Sequence, residues 1–123
     1  MSEKRKIIVV GLGREFIELK SNIFKMYDVL YLSDNYYSDE ITTYEGVKFV
    51  PIRMINKTLK HERILICTKR YYWQLRRTLQ EDYSISENLF FDYFMTDEIR
   101  LQKEREKLQL LMSLGFRRNS KHF

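Results

Sequence analysis

The chain has 123 residues, 44% hydrophobic and 15% aromatic, enough to bury one core without disulfides or metals and too short for a second ordinary domain. No apolar run is long enough to span a bilayer, no apolar signal region follows the basic start, and a single cysteine excludes a disulfide framework, so a cytoplasmic protein without membrane contact is expected. The formal net charge of +5 sits at the ends, with +2 in residues 1–6 and +3 in residues 117–123; these read as solvated tips, and nucleic acid is not an expected partner.

Ile7-Ile8-Val9-Val10 reads as a buried strand over about 6–11, followed directly by Gly11-Leu12-Gly13 and a helical pattern over about 14–25 with apolar residues at Phe16, Ile17, Leu19, Ile23, Phe24 and Met26. A second strand, about 28–33, ends in Ser33-Asp34-Asn35. Residues 35–46 have no clear period and read as a loop where a crossover helix could stand. Val47 to Val50 form a short third strand, and Pro51 suits the first turn of a small helix through about 58. Arg63 to Cys67 form the fourth strand; Thr68 can cap a helix over about 70–81, and a fifth strand is expected at about 88–91. From Thr96 the composition shifts to a charged helix with acids at its start and Gly115 as its stop. Alternation of short apolar runs with helical patterns predicts an α/β fold with a mainly parallel sheet of about five strands and a C-terminal helix. Residues 1–95 form the main domain; residues 96–123 belong to it or serve as an oligomerisation element.

The strand-glycine-helix opening carries the chemistry. Glycine allows a tight bend and the close approach of a phosphate, and the N–H groups at the start of a helix attract its charge. Gly11 and Gly13 fit the first two glycines of a dinucleotide fingerprint, while Phe16 stands where the third would be, so the fingerprint is incomplete. The candidate binding edge comprises Gly11, Gly13, Arg14, Glu15, Phe16, Asp34, Asn35, Thr68 and Lys69; Arg70 follows strand four with Thr68 and Lys69 and is expected at the same carboxyl edge, where the cations either meet phosphate or are solvated. Asp34, at the end of strand two, either accepts ribose hydroxyls or caps a surface turn. Tyr44 and Lys48 have the Tyr-x-x-x-Lys spacing of short-chain dehydrogenases, but Gly46 and a strand interrupt the helix that this chemistry needs. His61 and His122 have no cysteine cluster to form a metal site, and Cys67 reads as a small buried hydrophobe. The segment Lys69 to Arg77 mixes aromatic and basic residues, and on a helix half of them face the core.

Taken together, Ile7 to Gly13, Leu30 to Asn35, Gly46 to Pro51, Arg63 to Thr68 and Tyr71 to Leu79 resemble the small Rossmann-like domains attached to bacterial surface-polysaccharide and sugar-modifying enzymes, over roughly residues 6–95. The resemblance implies a three-layer Rossmann-like domain that binds NAD(P) or a nucleotide-sugar as an accessory in surface-glycan biosynthesis, with no catalysis of its own. A ligand-free module that self-associates, or docks on a glycan-biosynthesis enzyme through residues 96–114, is the alternative. A reductase would rest on fold analogy alone, since no acid, base or hydride-handling residue is identified.

Overall fold

The computed structural model describes residues 3–35, 42–60 and 62–115. The first strand, β1 (Arg5–Val10), is flanked by β2 (Tyr27–Ser33) and β5 (Arg63–Ile66), both parallel to it. Beyond β2 lie β4 (Val47–Phe49), also parallel, and β3 (Thr43–Tyr44), giving the order β3-β4-β2-β1-β5. The expected mainly parallel sheet is corrected here: β3 runs antiparallel to β4, so the sheet is mixed. The hairpin joining them turns on Glu45 and Gly46, both at positive φ (50° and 82°), the backbone that a two-residue hairpin requires.

Ile7 to Val10 are all fully buried because helices cover both faces of β1, which removes the usual alternation of apolar and polar residues. On one face Ile7, Val9, Val29, Leu32 and Leu65 pack against Phe16, Leu19 and Ile23 of α1 (Arg14–Met26) and Ile99 of α4 (Met95–Ser113). On the other, Ile8, Val10, Ile64 and Ile66 meet Ile55 of α2 (Ile55–Thr58) and Tyr72, Leu75 and Leu79 of α3 (Tyr72–Glu81). The result is three layers.

The fifth strand expected at 88–91 does not form. Glu87–Leu89 is a 3-10 turn, and the segment touches β5 through one parallel bridge, Ile64 to Phe90. The reason lies in the carbonyls: Arg63 Nη2 donates to Phe90 O at 2.8 Å and Tyr72 Oη to Phe91 O at 2.6 Å, so side chains take the acceptors that a ladder would use.

The first half of α4 is tied to α1 by charge. Arg100 Nε donates to Glu18 Oε1 at 3.1 Å, Lys103 Nζ to the Glu18 carbonyl at 2.7 Å, and Lys25 Nζ and Asn22 Nδ2 to Glu106 Oε1 at 3.0 Å each. The Arg100 guanidinium holds the Glu18 carboxyl below the usual carboxylate range, and Lys25 does the same for Glu106. Both groups bind protons less readily folded than unfolded, so their contribution is present above about pH 4.5 and is lost as pH falls through the lowered folded values. Urea midpoints measured across this acid range should fall with pH, and Glu18→Gln should flatten that dependence. An unaltered acid limb in the variant would show that the pair does not anchor α4. The effect should shrink in high salt, since these groups face water.

Candidate functional site

The strand order places a reversal at β1. The chain moves outward through β2 and β4 and then returns to β5 on the opposite side of β1. In open α/β sheets, a crevice forms beyond the carboxyl ends of the strands at such a point, because the connecting segments leave toward opposite faces. Here a cleft of about 480 Å3 occupies that position.

Its floor is the turn after β1. Gly11 has φ +97°, donates its N–H to Ser33 O at 2.9 Å, and sits so close to the next loop that a Cβ there would lie 3.3 Å from Thr68 Cγ2. Cys67 N–H donates to Val10 O at 2.7 Å, so the turn is pinned from both neighbouring strands. The Leu12 N–H donates to Asp34 Oδ2 at 2.7 Å, giving Asp34 a definite role: it fixes the glycine turn from the end of β2. Gly13 is the N-cap of α1, makes no side-chain cap, and has open space around its Cα.

Seven of the nine candidate residues line the cleft: Gly11, Gly13, Arg14, Glu15, Asp34, Asn35 and Thr68. Two do not. Phe16 is buried beneath α1, edge-on to Phe24 and Tyr44, and belongs to the core because its bulk fills the space between helix and sheet. Lys69 turns away: its Nζ pairs with Asp97 at 2.8 Å, a contact that raises its pKa, while its backbone N–H donates to Glu15 Oε1 at 2.6 Å. Glu15 is thus committed to organising the Lys69 loop.

Arg70, expected at this sheet edge from its position after the fourth strand, lines the opposite wall with Tyr71, Gln74 and Leu75, which sequence reasoning missed. The signal was available: α3 starts just after β5, so its first turn has to lie at the same sheet edge as the glycine loop. Thr68 Oγ1 meets the Tyr71 N–H at 3.4 Å, capping the turn before α3 and not the helix itself. Arg14, Glu15, Asp34 and Arg70 all line the cleft, so cations and carboxylates are both present there.

The reactive alternatives fail on geometry. Burial pushes the Cys67 thiol up to about 12, which leaves it a protonated core side chain at neutral pH. Tyr44 and Lys48 lie on the two strands of the hairpin, and Lys20 of α1 is the side chain that bonds the Tyr44 hydroxyl. Among the described residues no three His, Cys, Asp or Glu side chains gather as a metal site, and no helix is long and apolar enough to cross a membrane. His61 and His122 lie outside the described residues.

No curated protein matches the chain. The model of the C2185-like N-terminal domain matches residues 3–91, which span all five strands and the whole of the cleft wall. The chain therefore belongs to the C2185-like family, with the matched N-terminal domain ending just before α4.

Proposed function

We propose that the cleft binds a nucleotide, in particular the nucleoside diphosphate part of NAD(P) or a nucleotide-sugar, and that the domain is a Rossmann-like accessory without catalysis of its own. The observation that supports this reading is the glycine turn at the strand-order reversal, fixed by Asp34, in a cleft that Arg14 and Arg70 also line. Such a turn lets backbone approach a pyrophosphate, and a carboxylate at the end of β2 stands where a ribose would come. The link to surface-glycan biosynthesis rests on the sequence resemblance.

Thermal stability measured against NAD, NADP, and nucleoside diphosphates with their sugars tests the reading, since a ligand at ~100 times its Kd stabilises by about 2.7 kcal/mol. One class should raise the melting temperature. Asp34→Ala combined with Gly13→Val should abolish that rise. Gly13 has negative φ and no heavy atom near its Cβ position, so valine there blocks the cleft mouth without a clash inside the fold. Undiminished binding by the double variant would overturn the assignment.

A second reading is favoured by the last two turns of α4, where Leu108, Leu110, Leu111, Met112 and Leu114 are all exposed. A helix that is apolar all round is ordinarily covered. On this reading a second copy of the chain covers it. Leu108→Glu with Leu111→Glu should then lower the mass measured by light scattering while leaving the sheet folded, and a monomeric wild type at high concentration would sink it.

A further inference from the structure

The outward stripe of α3 carries a surface separate from the cleft. Trp73, Arg77 and Gln80 recur at i, i+4 and i+7 and so share one helix face; with Arg76 and Glu81 they line a groove of about 420 Å3. Trp73 is the one aromatic ring among the lining residues. Trp73 stacks with Tyr93, from the segment before α4, at a centroid distance of 5.7 Å and 17° between planes, yet the two residues remain 59% and 37% exposed. The buried Tyr72 ring meets both edge-on, so the pair is held against the core. The Arg76 guanidinium lies 5.7 Å from the Trp73 centroid, and the Arg77 side chain is 77% exposed at the rim.

Core packing consumes Tyr72, Leu75 and Leu79 but leaves this stacked pair in water, where large aromatic rings cost most to expose. We propose that the groove binds single-stranded nucleic acid, with a base continuing the stack on Trp73 and its phosphate meeting the exposed Arg77, while Arg76, bonded to the Tyr72 hydroxyl at 2.9 Å and paired with Glu87, holds the wall in place. An unpaired base supplies a π face and a phosphate supplies the charge that guanidinium groups bind best; a duplex hides the first, and an acidic peptide lacks it. Arg77 pairs with Glu81 at 3.6 Å between exposed groups, a contact weak enough to exchange for phosphate.

Trp73 is the single tryptophan, so tryptophan emission, excited selectively over that of the tyrosines, reports on this groove. Titration with oligothymidylate at low salt should quench it, and binding should weaken steeply as salt rises. With a labelled oligonucleotide read by anisotropy, Trp73→Leu and Arg77→Glu should each weaken binding about tenfold or more. Both sites are exposed, and circular dichroism verifies that each variant is folded. No quenching by oligothymidylate, equal quenching by polyglutamate or by a duplex, or undiminished anisotropy in either variant would each overturn the proposal.

Discussion

Leu19→Ala is expected to lower the free energy of unfolding by about 2–5 kcal/mol, the range for truncating a fully buried leucine that leaves a cavity. Leu19 has no exposed surface and sits midway along α1, between Phe16 and Ile23 on the face that meets β1, β2 and β5. The same cluster includes Ile99, the residue by which α4 enters the core. The loss should therefore spread in two directions: the helix that carries Gly13 at its N-terminus loosens, and α4 loses apolar backing for its ion pairs with Glu18 and Glu106. Chemical denaturation measures the total. A fall in stability accompanied by early protease cleavage within α4 would show the two helices to be one cooperative unit. Leu108→Ala, in the exposed end of α4, should change stability by less than about 0.5 kcal/mol, and a cost comparable to that of Leu19→Ala would refute the placement of the core.

Gly11→Val should be nearly as damaging, for a backbone reason. A residue with a side chain pays about 1–3 kcal/mol in a sparsely populated conformation, and β-branching worsens the strain at positive φ. Even the Cβ would arrive 3.3 Å from Thr68 Cγ2, tighter than ordinary contact, so the loop after β5 has to shift. Gly13→Ser, two residues on, meets no neighbour and offers a capping oxygen, so it should alter stability by only a few tenths of a kcal/mol. The contrast separates the two glycines by role. If both variants are equally stable, the positive φ at Gly11 does not constrain the turn; if Gly11→Val folds but no longer shows a ligand-induced shift in melting temperature, the close approach of the two loops is what shapes the cleft.

Much of this was legible because burial imprints itself on sequence. Four consecutive β-branched apolar residues, Ile7 to Val10, announce a strand covered on both faces, and the alternation of such runs with helical patterns located α1, β2, β5, α3 and α4 to within a few residues. The glycine turn and Asp34 could be paired from spacing alone. Other features depend on tertiary partners. β4 was expected as a strand, but β3 was read as loop and their hairpin missed because Glu45-Gly46 lacks the usual Asn-Gly or Asp-Gly signal and β3 has only two residues. Residues 88–91 have strand composition, but whether they pair depends on where Arg63 and Tyr72 direct their donors, which no local pattern records. Phe16 was grouped with the cleft because it is a neighbour in sequence; its side chain leaves the helix on the opposite side and enters the core. For the far wall, Arg70 was placed by its position directly after the fourth strand, while Tyr71, Gln74 and Leu75 were passed over because their segment was read as packing surface.

The mixed sheet has a consequence for how the chain behaves among its own copies. At one margin β3 offers only two residues of ladder, fixed in a tight hairpin. At the other, β5 is crossed at Ile64 by the Phe90–Phe91 segment, with Arg63 clamped over the Phe91 ring and bonded to the Phe90 carbonyl. Open edges are where foreign strands add and where sheet-to-sheet polymerisation begins. Among the described residues both margins are short or obstructed, which disfavours strand addition there and leaves helices and side chains as the surfaces open to association.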